Sequence, residues 1–224
     1  MIAVVVFTDG RTNVLRRTIA SFEEQVSGPI IERWIYDDSG NAAVRAALVK
    51  NYPQYTLIGH PSGERQGFSG AVRTAWAALK AESMATHVFH LEDDFTFNRP
   101  VDLEDFTNIL GKRPNLCQVA CLRQAWNAEE IRAGGVIERQ PENFVSHLDK
   151  EDRCWLEQDM FFTTNPSVYR MNLLHQFDWP EGEQSEGRFT ALVKGAGYKF
   201  AYWGAPEDGP LVHHIGQHRH GEGY

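Results

Sequence analysis

The chain has 224 residues and a formal net charge of −8 at pH 7, a balance that argues against non-specific nucleic-acid binding, which needs a basic face. An apolar fraction of 42%, with 12% aromatic residues, is enough for a real core and excludes a disordered chain. Cys117, Cys121 and Cys154 are an odd number without metal-type pairing, so a reducing, cytoplasmic compartment is expected.

The run Ile2-Ala3-Val4-Val5-Val6-Phe7 reaches Thr8-Asp9 too soon for a signal peptide or a membrane anchor. It predicts a buried parallel strand. Leu15, Ile19, Phe22 and Val26 then fall on one helical face. Residues 30–36 predict a second strand ending in Asp37-Asp38-Ser39-Gly40, after which Asn41 caps a helix carrying Val44, Ala47 and Leu48. Residues 55–59 predict a third strand. A turn from Ser62 to Gly67 leads to a helix with Val72, Ala75, Trp76 and Leu79 facing inward. The fourth strand, His87–Leu91, runs straight into Glu92-Asp93-Asp94. Strand and helix alternate to this point, which implies a doubly wound sheet in one α/β domain. Ligands bind at the C-terminal ends of such strands, where the polar clusters recur.

Beyond it, the pattern predicts a helix over 101–110 and a strand over 116–123. Residues 124–153 read as loops with a short hairpin. A strand over 159–164 and a helix over 167–177 follow. Phe189, Leu192, Val193 and Ala196 mark a helix stopped by Gly197, before a last strand over 198–203. The expected division is a nucleotide-binding half, 1–98, and an acceptor half, 99–224, whose C-terminal tail carries His213, His214, His218 and His220.

Glu92-Asp93-Asp94 is the most informative feature. Three adjacent carboxylates repel one another and resist desolvation, so a crevice at a strand end suits them only with a cation present. Mg²⁺ and Mn²⁺ favour such oxygen ligands and share them with phosphates. The alternative is an exposed acidic turn or an N-cap cluster, and the apolar strand immediately before weighs against it.

His87-Val88-Phe89-His90-Leu91-Glu92-Asp93-Asp94 resembles the strand and DxD motif of GT-A glycosyltransferases, especially family-two-like enzymes, with Glu92 replacing the first Asp. The resemblance implies a GT-A fold: Rossmann-like, of the nucleotide-diphospho-sugar transferase type, with a mostly parallel central sheet. It implies a metal-dependent hexosyltransferase. Asp94 would bind the Mn²⁺ or Mg²⁺ that bridges the donor diphosphate. Glu92 would face the ribose or sugar, with Asp93 beside it in the donor pocket.

Other segments match in the same order. Val4 to Arg11 resembles the first strand and turn, where Thr8 would meet base or ribose and Arg11 phosphate. Tyr36-Asp37-Asp38-Ser39-Gly40 resembles the Asp-Asp-x-Ser segment that accepts a base N–H, with Asp38 preferred and Asp37 close behind. A UDP-sugar is favoured and a GDP-sugar left open. Arg65 to Arg73 resembles a Gly-x-x-x-Ala-Arg-Asn stretch, with Thr74 at the Asn position. There Gly67 lets the backbone approach the donor, and Arg73 either joins it or pairs with a surface carboxylate. Neither GxxxxGK[ST] nor GxGxxG occurs, which argues against a P-loop kinase and a dinucleotide dehydrogenase.

Ser185 to Tyr198 resembles the family's Glu-Asp helix, which ends in Gly-Tyr. Counting back from Gly197-Tyr198 puts Glu186 at the position of the catalytic Asp, the base of an inverting transfer. Glu157, Asp159, Glu181 and Glu183 are rivals, and a mere helix cap is the plain alternative. Val212-His213-His214-Ile215-Gly216 resembles the family's late metal-binding histidine. His214 is chosen over His213, and His218-Arg219-His220 would fold over the diphosphate. A separate zinc site among the tail histidines is the other reading. The expected acceptor is soluble: a protein side chain, a glycan or a modified nucleic-acid base. Two other classes compete, a nucleotidyltransferase of similar fold and a non-catalytic carbohydrate-binding module built on it.

Overall fold

Every residue of Ile2–Thr8 (β1) is buried, as a continuous apolar run must be when both faces of its sheet are covered. Its side chains alternate between two cores. Ile2, Val4 and Val6 pack with Leu15, Ile19 and Phe22 of Thr12–Gln25 (α1). Ala3, Val5 and Phe7 pack with Val72, Ala75, Trp76 and Leu79 on the opposite face. The computed structural model describes residues 1–216; His218, Arg219 and His220 lie outside the described residues.

Val26–Ser27 (β2) leads to Ile30–Asp37 (β3), Ala42–Asn51 (α2), Thr56–Ile58 (β4), Gly67–Glu82 (α3) and His87–Glu92 (β5). Asn41 caps α2 by accepting from the Ala43 and Val44 N–H groups. Next come Phe95–Phe97 (β6), Val101–Asp102 (β7), Leu103–Lys112 (α4) and Leu116–Cys121 (β8). The rest comprises Ala128–Ala133 (α5), Val136–Arg139 (α6), Val145–Leu148 (β9), Cys154–Gln158 (β10), Ser167–Arg170 (β11), Met171–Gln176 (α7), Ser185–Gly195 (α8), Lys199–Trp203 (β12) and Val212–His214 (β13).

The main sheet is mostly parallel, in the order β4-β3-β1-β5-β11-β8-β12-β10-β9. Only β11 and β10 run against its other strands. The chain moves from β1 outward to β3 and β4, then returns to place β5 on the other side of β1. That reversal opens a crevice at the C-terminal ends of β1 and β5. The register Phe7↔Glu92 sets Thr8 and Asp9 beside the acidic triplet.

Several elements depart from the sequence pattern. Val26 leaves α1 and pairs with Val101. The strand expected over 159–164 lies earlier, at β10, because the Gln158 side chain accepts from the Met160 and Phe161 N–H groups and turns the chain. Residues 167–170 are a strand: Val168 and Tyr169 fill a gap between β5 and β8, and only α7 is helical. On α8, Phe189 and Val193 are buried but Leu192 is exposed, so the apolar face is narrower than the spacing predicts. Residues 124–153 hold α5, α6 and the first strand of the β9–β10 hairpin. No helix among the described residues is long and apolar enough to cross a membrane.

Candidate active site

The crevice between β1 and β5 is built around Asp93 and Asp94, which are 1% and 2% exposed. Asp93 Oδ2 accepts from Thr8 Oγ1 at 2.6 Å, and its Oδ1 pairs with Arg11 Nη2. Thr18 Oγ1 donates to the Asp93 carbonyl at 2.6 Å, fixing the turn from below. Asp94 Oδ2 lies 2.9 Å from Arg11 Nη1 and 3.2 Å from His214 Nε2. Asp94 Oδ1 is buried without a hydrogen-bond partner among the described residues.

Environment sets these carboxylates apart. Burial pushes Asp93 up to about 7, against the pull of Arg11 and Thr8. Burial also acts to raise Asp94, but the hydrogen bond and charge of His214, with those of Arg11, hold it below its usual range. Glu92 is raised well above the ordinary value by burial first. The charges of Asp94, Glu186 and Asp93 add to that, and Thr164 opposes them with a hydrogen bond.

His214 reaches Asp94 because β13 pairs antiparallel with β6, opposite Phe95. The Ile215 N–H donates to the Asp94 carbonyl at 2.7 Å. Gln124 clamps the His214 backbone, accepting from its N–H at 2.9 Å and donating to its carbonyl at 3.0 Å. The imidazole packs against the rings of Phe95 and Trp126, with centroids 4.7 and 4.1 Å away. His213, its neighbour on the strand, is exposed.

Among the described residues, no three His, Cys, Asp or Glu side chains converge into a metal cage. The Asp94–His214 pair still suits Mg²⁺ or Mn²⁺, which take one or two protein ligands and complete their shells with phosphate oxygens and water. The unpartnered Oδ1 gives that fit a physical reason. A closed zinc site would need four ligands, and the residues proposed for it include His218 and His220, outside the described residues.

Phe7, Tyr36, Phe68 and Ala71 form apolar walls of a slot beside this corner, with Thr8, Arg11, Asp38 and Asp93 at its polar rim. Asp38 is 6% exposed, and its two oxygens accept from the Gln66 and Gly67 N–H groups at 2.7 and 2.9 Å. Burial raises its pKa and those two bonds oppose the rise. Asp38 therefore ties β3 to the start of α3, where Gly67 holds φ at +69°, a left-handed value that favours glycine. Asp37 turns instead to the Ser39 N–H and toward Arg45, 3.7 Å away.

Two further clefts meet at Glu186. One, of about 500 Å³, lies between the start of α3 and residues 181–186. Arg73 pairs across it with Glu181, and Ser69 Oγ donates to the Pro180 carbonyl at 2.7 Å. The other, of about 350 Å³, is lined by Arg123, Arg139, Phe161, Thr164, Asn165 and Tyr202, among others. Glu186, in the first turn of α8, lines both. Its Oε1 accepts from the Thr164 N–H at 2.8 Å, while burial raises its pKa against that bond. Of its rivals, Glu157 is buried against Arg113, Lys199 and His147 at 2.6, 3.0 and 3.5 Å and lines neither cleft. Asp159 is exposed; Glu181 and Glu183 are exposed at the rim of the larger cleft.

Sequence reasoning missed Gln124, Trp126, Thr164 and Gly216. Only Gly216 left a signal there, as a glycine two residues after the histidine.

No family model matches the chain, and no curated protein matches it. Solved structures do. A mannosyltransferase from Pyrobaculum calidifontis, in complex with GDP-Man and Mn²⁺, aligns with a TM-score of 0.63 at 14% identity, over 98% of this chain and 58% of that one. S. aureus TarS 1–349 aligns with a TM-score of 0.63 at 16% identity, over 96% of this chain and 60% of that one. The same TarS segment in complex with UDP gives 0.62 at 15% identity, over 95% and 59%. The chain spans about three-fifths of the length of each. At these identities the likeness speaks to architecture: the chain has the fold of GT-A glycosyltransferases.

Proposed function

We propose that the chain transfers a sugar from a nucleotide-diphospho-sugar to a soluble acceptor, with inversion, and that Glu186 is the base. The observation that carries this reading is the position of Glu186. It lines two clefts at once, one running to the start of α3 and one lined by Phe161, Asn165 and Tyr202. A base for direct displacement has to stand between donor and acceptor.

The slot of Phe7, Tyr36 and Phe68 holds the nucleoside, with Thr8 and Asp38 at its rim. Gly67, which opens α3, and Arg73, in its second turn and paired with Glu181, line the cleft on the side of the donor phosphates or sugar. Arg11 and Asp93 close the diphosphate side, and Glu92 lies toward the sugar. Asp94 and His214 hold Mn²⁺ or Mg²⁺, which when bound neutralises the leaving diphosphate. The acceptor oxygen forms its bond to the anomeric carbon as the bond to phosphate breaks, and its proton passes to the Glu186 carboxylate. A raised pKa makes Glu186 the better proton acceptor while it is ionised. Two solved neighbours support the donor class: one carries GDP-Man with Mn²⁺ and the other UDP. A UDP-sugar is favoured and a GDP-sugar is the alternative.

A panel of UDP- and GDP-sugars, assayed for hydrolysis and for transfer with Mn²⁺ present, tests the reading. Release of UDP or GDP that stops in EDTA supports it. No turnover of any sugar nucleotide would leave a binding module on this fold.

A further inference from the structure

The guanidinium of Arg11 stands where a cation is needed. Its Nη2 pairs with Asp93 Oδ1, its Nη1 lies 2.9 Å from Asp94 Oδ2, and its Nε donates to Asp9 Oδ1 at 2.9 Å. One planar fork thus bridges two adjacent carboxylates that otherwise repel each other, and a third carboxylate anchors its stem.

The carboxylates are the fixed partners. The Asp93 and Asp94 side chains are 2% and 3% exposed. Thr8 and Thr18 hold Asp93, and the Ile215 N–H holds the Asp94 backbone. The Arg11 side chain is 25% exposed and lines the open slot. Arg11 is thus the partner on the slot side, and the two carboxylates are the partners on the core side.

A divalent cation arriving alone at Asp94 meets this resident positive charge at close range, where water screens it poorly. A diphosphate reverses the sign: its oxygens can face the cation on one side and the guanidinium on the other.

We infer that Arg11 is the built-in counterion of Asp93 and Asp94, and that it makes divalent-cation binding conditional on a nucleoside diphosphate. It yields Asp94 to the cation only when the diphosphate is there to receive the guanidinium. The inference rests on the donor-and-metal reading above. Any diphosphate that ligates a cation couples the two bindings to some degree. The part that belongs to Arg11 is the penalty on the cation by itself, and by linkage the coupling is the same read from either ligand.

The test is Mn²⁺ binding, read from the electron paramagnetic resonance signal of free Mn²⁺, first without nucleotide and then with UDP or GDP. The proteins are the full chain, Arg11→Met and Arg11→Lys. The expected result is that Arg11→Met binds Mn²⁺ alone about tenfold or more tighter than the full chain, while its affinity for UDP or GDP in EDTA falls. Mn²⁺ alone should then raise the melting temperature of Arg11→Met but not that of the parent. Arg11→Lys keeps a charge but cannot bridge both carboxylates, so it moves the same way by less, and it carries the test if Arg11→Met does not fold. A purely structural role for Arg11 predicts weaker binding of both ligands in both variants, and that outcome overturns the inference. If the parent binds Mn²⁺ with UDP or GDP and neither variant gains affinity for Mn²⁺ alone, the inference falls and the metal reading stands. If the parent binds no Mn²⁺ even with UDP or GDP, the metal reading falls and the inference with it.

Discussion

Gly216 lies so close to Asp94 that a β-carbon on it would stand 2.5 Å from Asp94 Oδ2 and 3.0 Å from His214 Nε2. Its φ is not in the left-handed region, so backbone freedom is not the reason for glycine here. The reason is room. A methyl group would fill the space above the carboxylate and push Asp94 or the 215–216 backbone aside. Gly216→Ala should weaken Mn²⁺ binding in the presence of UDP or GDP by about tenfold, the scale on which displaced supporting groups cost metal sites. The melting temperature in EDTA should change little, because the position is at the crevice surface. Calorimetry and a thermal melt check both halves, and unchanged affinity would mean that the space is not used.

Asp94→Asn and His214→Ala remove the two side chains that meet at 3.2 Å. Both variants should stay folded and lose Mn²⁺ affinity, Asp94→Asn more, because it removes formal charge as well as a ligand. Gln124→Ala leaves both side chains in place but frees the His214 backbone from its clamp. It should cost about tenfold in metal affinity through misplacement alone. Titration with Mn²⁺ and UDP or GDP distinguishes the three. If His214→Ala binds like the parent, the 212–216 segment is only a surface strand.

The pattern of the first half was readable because β1, β3 and β5 run for seven, eight and six residues and the helices between them return to the same sheet. β11 hid its nature for the opposite reason. It is a four-residue piece lodged between β5 and β8, and only those distant partners make it a strand. Gln158 hid the end of β10, since its turn depends on a side chain reaching two following N–H groups. At the site, residue types were legible and mutual contacts were not. Thr8, Arg11, Asp93, Asp94 and His214 each drew attention as contacts for a donor or a metal, and the fold brings all five together. Nothing local told that Thr8 and Arg11 would hold Asp93 across 85 and 82 positions. His214 needed the β6–β13 pair to reach Asp94, and Glu157 lost its candidacy to Arg113, Lys199 and His147, which reach it from separate parts of the chain.

The titration of Asp93 should be visible in stability. Its folded-state pKa is raised from 3.8 to about 7, so between those values the native state keeps a proton that the unfolded chain has released. The native state then binds more protons, and stability falls as pH rises through this window. In EDTA, denaturant unfolding of the parent should show that decline, and Asp93→Asn should flatten it. Saturating Mn²⁺ with UDP or GDP should also reduce the slope by favouring the ionised cluster. A parent curve that rises from pH 4 to 7 and is unchanged in Asp93→Asn would mean that Arg11 keeps Asp93 ionised throughout.

Glu186→Gln tests the chemistry itself. Glutamine keeps the side-chain oxygen that accepts from the Thr164 N–H at 2.8 Å, so the first turn of α8 stays tied to the 163–165 segment. It removes the proton acceptor. General-base assistance is worth about 10²–10⁴ in rate, so turnover should fall by that factor while UDP or GDP affinity holds. The parent's turnover should rise with pH as Glu186 ionises through a pKa above its ordinary 4.5, and the variant should lose that limb. A residue that only caps the helix predicts the reverse: lower thermal stability and nearly intact turnover. The product adds an independent reading. Direct displacement inverts the anomeric carbon, so the proton coupling constant of the new glycosidic linkage should report the configuration opposite to that of the donor. A product of retained configuration would assign the displacement to another mechanism and leave Glu186 to position the acceptor.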